Sequence, residues 1–142
     1  MATINPYLNF NGNTEEVFNF YKSVFGGEFA MLMRFKDTQD CSGMAEAEQN
    51  LIMHVALPIG PTTILMASDV PPSMPASTTG TNFSISISVD SKEEGDRIFT
   101  GLSEGGQVTL PMQTMFWGAY FGMLIDKFGI NWMVNYDEKY TQ

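Results

Sequence analysis

The sequence is poor in cysteine, histidine and basic residues, and each shortage excludes a class of protein. Its one cysteine, Cys41, cannot form an internal disulfide, which fits a reducing compartment. Seven Lys and Arg residues against sixteen Asp and Glu give a net charge of −9, and the basic residues are not clustered. Nucleic-acid binding is therefore not expected, and an anionic membrane surface is disfavoured for the same reason.

Long hydrophobic runs are also missing. No stretch of about 18 to 20 apolar residues is present, and no basic segment followed by an apolar one marks a secretion signal. We therefore expect a cytoplasmic protein without membrane partners. The hydrophobic fraction of 44% and the aromatic fraction of 13% exclude disorder, because they supply enough apolar surface for a packed core.

The chain contains one structural unit twice. In each half, a strand with alternating apolar and polar residues precedes a helix that has a capping box and a terminal Gly-Gly pair. The strands are 4–10 and 82–89, the capping boxes are Asn13 with Glu16 and Ser91 with Glu94, and the glycine pairs are 26–27 and 105–106. The offset of about 78 to 79 residues between the halves predicts a repeated supersecondary unit.

The remainder of each half predicts one more strand and a hairpin. These segments are 28–35, 51–57 with 63–68, 108–117, and 120–125 with 131–136. The sequence therefore predicts an α+β protein made of two β-α-β-β-β modules, 1–69 and 82–142, within one compact domain. Pro-rich residues 70–81 are expected to be the linker, and polar residues 36–50 an exposed loop.

Several segments resemble the PhnB-like branch of the vicinal oxygen chelate superfamily, which includes glyoxalase I, extradiol dioxygenases and fosfomycin- or bleomycin-resistance proteins. They are Asn-Pro-Tyr-Leu at 5–8, FNFYKSVFGG at 18–27, Ser-Asp at 68–69, Asp-Lys-Phe-Gly at 126–129 and Trp-Met-Val-Asn at 132–135. The resemblance implies tandem modules that form a cupped mixed sheet with helices outside, a cleft for a small molecule and, commonly, a homodimer. Pairing of open sheet edges favours a homodimer independently.

PhnB-like proteins are often labelled 3-demethylubiquinone-9 3-methyltransferase-like. We do not expect this activity. An S-adenosylmethionine enzyme of the common α/β type would need a glycine-rich loop between a strand and a helix N-terminus, and the sequence has none.

The resemblance also implies the positions of a metal site. In metal-dependent relatives, four side chains from the first and last strands of both modules hold a divalent ion, and they are typically His and Glu. The matching positions here are Asn5, Met66, Ser84 and Met133. Because hard or borderline cations need carboxylate or imidazole ligands, we predict no metal at this site and no cofactor. A divalent metal at a non-standard site, with His54 and Asp69 as ligands, stays open as an alternative.

In place of a metal site, the sequence predicts a ligand pocket that is lined by residues other than Asp, Glu, Lys and Arg; we call this the neutral lining. The predicted ligand-pocket residues are Asn5, Tyr7, Asn9, His54, Met66, Ser84, Ser86, Trp117, Tyr120, Trp132 and Met133. Such a lining suits a moderately apolar ligand with a few polar groups. The competing interpretation is that the Met and aromatic residues belong to the core and that the small polar residues are solvated.

Two residues are weak candidates for catalysis. His54, the sole histidine, can act as a general base or orient a ligand, or it can be structural. Asp69 can be a site carboxylate or can cap the turn before Pro71. Cys41 is not expected to be a nucleophile, because Asp40 beside it disfavours the thiolate, and Asp126 is expected at the surface or in a turn.

The function these residues favour is a small-molecule-binding protein or a metal-independent enzyme. The alternatives are a metal-dependent lyase or dioxygenase and a sequestration module, and whether any reaction is catalysed stays open.

Overall fold

The computed structural model describes residues 2–38 and 43–138, in which the chain forms eight β-strands and three α-helices. The chain divides into two compact units, Met1–Thr78 and Thr79–Gln142, with the boundary inside the predicted linker. Each unit follows the order strand, helix, three strands, apart from one short extra helix. The predicted α+β class with tandem β-α-β-β-β modules is confirmed. Cys41 and Asp40 lie outside the described residues.

The first unit holds a four-stranded mixed sheet. Its elements are β1 (Tyr7–Phe10), α1 (Thr14–Phe25), β2 (Met31–Arg34), a 3-10 turn (Phe35–Asp37), α2 (Glu46–Gln49), β3 (Ile52–Ile59) and β4 (Thr63–Asp69). The strand order is β1-β4-β3-β2, with β1 parallel to β4 and the other neighbours antiparallel. The 3-10 turn and α2 fall in the segment predicted as an exposed loop, so its described part is more ordered than expected.

The second unit repeats this topology. Its elements are β5 (Ile85–Ser88), α3 (Lys92–Ser103), β6 (Gln107–Thr114), β7 (Tyr120–Ile125) and β8 (Asn131–Tyr136). The strand order is β5-β8-β7-β6, and β5 is parallel to β8. The repeat read from the sequence is therefore a repeat of sheet topology, helix included.

Each sheet has one face that packs against its own helix. On this helix face the side chains are almost fully buried in the first unit: Leu8, Phe10, Val55, Leu57, Leu65 and Ala67. They meet the buried side of α1, which carries Val17, Phe18 and Tyr21. Because successive strand residues point to opposite faces, the residues between them lie on the other side, which we call the far face.

In the second unit a glycine allows the helix to approach its sheet closely. A Cβ atom on Gly122 would lie 2.8 Å from Cε2 of Phe99 in α3 and 2.7 Å from Sδ of Met112. Only a residue without a side chain fits there, so β7 passes directly under Phe99. The contact identifies the face of Gly122, and of its partner Val134 on β8, as the helix face.

The two helices begin differently. Ser91 accepts a hydrogen bond from the Glu94 amide at 3.1 Å, so the predicted cap of α3 by Ser91 is confirmed. The Glu94 carboxylate accepts from the Asp90 amide rather than from the Ser91 amide, so the reciprocal bond differs from that of a standard capping box. Asn13 makes no side-chain capping bond at α1, and that prediction is wrong. The amide of Thr14 instead donates to Oδ1 of Asp69, a carboxylate from the end of β4.

Candidate functional site

The far face of the first sheet carries two rows of side chains, each row crossing all four strands from β1 to β2. The rows are Tyr7, Met66, Ala56 and Met31, and then Asn9, Ser68, His54 and Met33. Neither row contains an ionised carboxylate, ammonium or guanidinium group. This face combines thioethers and an aromatic ring with amide, hydroxyl and imidazole groups.

A hydrogen-bonded aromatic pair lies on this face. The hydroxyl of Tyr7 is 3.2 Å from Nδ1 of His54, and the ring centroids are 5.7 Å apart. Tyr7 is on β1 and His54 on β3, so the phenol reaches across β4 to make the contact. Because Nδ1 is engaged, the imidazole is held in place and Nε2 is the nitrogen that can meet a ligand.

The far face of the second sheet is built in the same way. Its rows are Ser86, Met133, Met123 and Leu110, and then Ser88, Asn135, Phe121 and Gln113. Trp117, in the turn between β6 and β7, packs its ring edge-on against Phe121 with centroids 5.9 Å apart. Backbone hydrogen bonds between Met115 and the residues at 118 and 119 close that turn. Trp117 lies inside the turn, and 47% of it is exposed.

Two predicted pocket residues lie on the other side of this sheet. Trp132 is 1% exposed and pairs with Leu124 on the helix face, and its Nε1 donates to Oδ2 of Asp126 at 2.8 Å. The Tyr120 hydroxyl donates to Oδ1 of Asp96 in α3 at 2.6 Å, and this bond raises the pKa of Tyr120. Both residues make structural contacts on the helix side, so they do not lie on the far face with Met123 and Met133.

The register shows which residues lie beside the two methionines. Tyr7, rather than Asn5, lies beside Met66 on the neighbouring strand, and Ser86, rather than Ser84, lies beside Met133. Asn5 and Ser84 precede their strands. Oδ1 of Asn5 accepts a hydrogen bond from the Ile64 amide at 3.0 Å, which ties the chain before β1 to β4.

Asp69 is 4% exposed and lies on the helix face of its sheet. Its Oδ1 accepts hydrogen bonds from the amides of Gly12 and Thr14 at 3.1 and 3.0 Å, and its Oδ2 accepts one from the Ile52 amide at 2.8 Å. His54 is on the far face. The two cannot ligate one ion, because the sheet separates them. Across the described residues, no three His, Cys, Asp or Glu side chains are grouped as a metal site requires.

Asp126 lies in the turn between β7 and β8, one of the two positions expected from the sequence, but its side chain is buried, at 3% exposure. Its Oδ1 accepts hydrogen bonds from the amides of Phe128 and Ile130, so it organises the turn between β7 and β8. Both buried carboxylates thus hold backbone amides on the helix side, where a ligand on the far face would not meet them.

Ionised residues are nearly absent from the sheets. Among the eight strands, Arg34 and Asp69 are the sole Asp, Glu, Lys or Arg residues. The Arg34 guanidinium binds both carboxylate oxygens of Glu15 in α1, at 2.6 and 3.1 Å, and this lowers the pKa of Glu15. Both strand charges are therefore directed to the helix side. Within the described ranges, no helix is long and apolar enough to cross a membrane.

A family model, a curated protein and a solved structure each match nearly the whole chain. A family model described as 3-demethylubiquinone-9 3-methyltransferase matches residues 2–135. Protein YjdN of Escherichia coli K12 is 33% identical in an alignment of 140 residues, and the match covers 93% of this chain and 93% of that protein. The crystal structure of protein PA1353 from Pseudomonas aeruginosa has 42% sequence identity and a TM-score of 0.84, covering 96% of this chain and 98% of that one.

More distant structures share the fold. A putative 3-demethylubiquinone-9 3-methyltransferase, PhnB protein, from Bacillus cereus is 24% identical with a TM-score of 0.75, covering 96% of this chain and all of that one. A glyoxalase/bleomycin resistance protein from Albidiferax ferrireducens T118 is 15% identical with a TM-score of 0.64, covering 94% and 96%. The resemblance noted in the sequence is confirmed at the level of family and fold.

Proposed function

Since the chain belongs to the 3-demethylubiquinone-9 3-methyltransferase (PhnB-like) family and shares the glyoxalase/bleomycin resistance fold, we propose that it binds a small, partly apolar molecule on the far face of one of its sheets. The observation that carries this proposal is the neutrality of the far faces. Although the chain has a net charge of −9, no Asp, Glu, Lys or Arg occupies a far-face position in any of the eight described strands. When a protein surface carries no charged side chains, an apolar ligand can cover it without removing unpaired charges from water, which would cost binding free energy.

The side chains on these faces suit a ligand with an apolar body and a few polar groups. Met66, Met123 and Met133 offer flexible, polarisable surfaces that adapt to an irregular shape. In the first sheet the Tyr7–His54 pair offers hydrogen bonds on the same face as Met66, and in the second sheet Ser86 offers one beside Met133. Apolar pockets with a few placed polar groups are the usual form of a small-molecule site.

A reaction without a metal is compatible with this site. The imidazole of His54 is the candidate general base there, because the Tyr7 hydroxyl lies 3.2 Å from Nδ1 and leaves Nε2 for a ligand. The alternative lyase or dioxygenase with His54 and Asp69 as metal ligands is not favoured, because the two residues lie on opposite faces. Methyl transfer is not proposed either, since the chain lacks a glycine-rich loop for S-adenosylmethionine.

Methionine methyl groups provide a direct test of ligand binding. We expect neutral aromatic amides and phenols from a fragment library to shift the ¹³C-methyl resonances of Met66, Met123 or Met133. A lysine at position 66 or 133 should weaken binding of such a fragment by about tenfold or more, because an unpaired ammonium would be desolvated beneath it. Met74→Lys is the matched control, since Met74 is 59% exposed in the Pro-rich segment.

The result that would contradict this proposal is fragment binding that leaves these three methyl groups unshifted, or binding that Met66→Lys and Met133→Lys leave unchanged. Circular dichroism of each variant shows whether the fold is retained.

We also propose that the chain is a homodimer. Each described sheet ends in two strands with a free edge, β1 and β2 in the first and β5 and β6 in the second, and free edges favour association. Light scattering coupled to size exclusion is expected to give twice the mass of one chain. A single-chain mass at micromolar concentration would refute the dimer without affecting ligand binding.

A further inference from the structure

We propose that the β2 edge of the first sheet's far face binds one soft monovalent cation, of the class of Cu(I) and Ag(I), through Met31, Met33 and His54. The inference is independent of the small-molecule proposal, because it rests on three donor side chains of one strand pair. It concerns binding alone and requires no redox step.

The strand register makes these three residues neighbours. Met31 and Met33 are alternate residues of β2, so both side chains lie on one face. Met33 is directly opposite His54 on β3, and Met31 is opposite Ala56, one row away on the same face. Directly opposed Cβ atoms are about 5 Å apart and diagonal ones about 7 to 8 Å. Thioether side chains with three rotatable bonds reach across such distances.

The donor set selects a soft ion. Thioether sulfur and neutral imidazole nitrogen match Cu(I) and Ag(I), whereas hard cations require oxygen ligands.

His54 is oriented for this role. The Tyr7 hydroxyl, 3.2 Å from Nδ1, holds the ring from the β1 side and leaves Nε2 for the ion. An outer partner on the second ring nitrogen is the usual companion of a metal-binding histidine, since it fixes the tautomer and the ring orientation.

Access and charge are also favourable. β2 is an edge strand and Met31 is 46% exposed, so an ion reaches the site without rearrangement of the sheet. The one cationic side chain of β2, Arg34, is neutralised by both oxygens of Glu15 on the helix side. The net charge of −9 attracts cations to the protein as a whole.

The second sheet provides an internal control. Met123 and Met133 are directly opposite on its far face, but no histidine accompanies them, because His54 is the sole histidine of the chain. The proposal therefore assigns the site to the first unit and predicts no comparable binding at the Met123–Met133 pair.

Silver titration of the full chain tests this assignment. Ag(I) nitrate is added in chloride-free buffer to ¹³C-methyl-methionine-labelled Cys41→Ser protein, a background that removes the competing thiol. We expect saturation at one equivalent, with shifts of the Met31 and Met33 methyl resonances. The double variant Met31→Leu/Met33→Leu, and separately His54→Gln, should weaken binding by about tenfold or more. The volume-matched control Met123→Leu/Met133→Leu should bind as the parent does.

Three outcomes would overturn the proposal: an affinity unchanged in the Met31/Met33 double variant, an equal loss in the Met123/Met133 variant, or silver-induced shifts spread over exposed methionines such as Met74. Because neutral fragments serve for the ligand test and Ag(I) for this one, failure of either leaves the other standing.

Discussion

Replacement of Trp132 by alanine is expected to lower the free energy of unfolding by about 3 to 5 kcal/mol, the usual cost of removing a large buried aromatic side chain. Trp132 is among the largest fully buried side chains, and its Nε1 is bound to Oδ2 of Asp126 at 2.8 Å. Truncation leaves both a cavity under α3 and a buried carboxylate oxygen that has lost a donor. Urea unfolding followed by circular dichroism measures the loss.

The chain's other tryptophan is a matched control. Trp117 is 47% exposed in the turn between β6 and β7. Trp117→Ala should change the free energy of unfolding by less than about 1 kcal/mol, because surface truncations away from such contacts have small effects. If the two substitutions lower the free energy of unfolding equally, the buried packing of Trp132 and its bond to Asp126 do not stabilise the second unit as proposed.

Replacement of Asp69 by asparagine is expected to cost about 2 to 3 kcal/mol of unfolding free energy, although the two side chains have nearly the same shape. Oδ1 of Asp69 accepts two amides, and Oδ2 accepts the amide of Ile52. An asparagine keeps one carbonyl oxygen but turns an NH₂ group toward another N–H. A buried donor left without an acceptor, together with the lost charge-assisted bonds, accounts for this magnitude.

Asp37→Asn supplies the comparison for Asp69. Asp37 also accepts a backbone amide, that of Arg34 at 2.9 Å, but on the exposed surface. We expect less than about 1 kcal/mol there, since water replaces the lost partner. If thermal and urea unfolding rank the two variants as equal, Asp69 does not have the structural role assigned to it.

Much of the fold was predictable because the signals are local. Strands β7 and β8 were predicted with the bounds observed, since turn residues at 126–129 separate two apolar runs. The glycines at 26, 27 and 105, all at positive φ, end or follow the helices as expected. Strand β1 starts at Tyr7, later than alternation alone suggests, because Pro6 cannot donate a ladder hydrogen bond.

The candidate site was harder to predict, because it depends on which face each strand residue occupies. In β8, both Trp132 and Met133 are apolar neighbours, so alternation alone does not say which one packs under the helix. The glycine at 122 is the signal that could have decided it. A side-chain-free position in a strand indicates close helix approach, and its pairing with Val134 places Trp132 on the same face.

The role of Asp69 was beyond local reasoning. Its three partners, at 12, 14 and 52, are distant in sequence and meet only when β1, α1, β3 and β4 are assembled. The local sequence predicts Asn13 as the cap of α1, but the Thr14 amide at the start of the helix donates to the Asp69 carboxylate, which is distant in sequence. Register-dependent pairs such as Tyr7 with His54 were unpredictable for the same reason.

The central claim is that the uncharged far face of one sheet binds a small molecule, and a crystal structure grown with a fragment found by methyl NMR tests it most directly. We expect electron density for the fragment against Met66 beside the Tyr7–His54 pair, or against Met133 beside Ser86. Density for the fragment on the helix side or on a loop, with both far faces unoccupied, would contradict the claim.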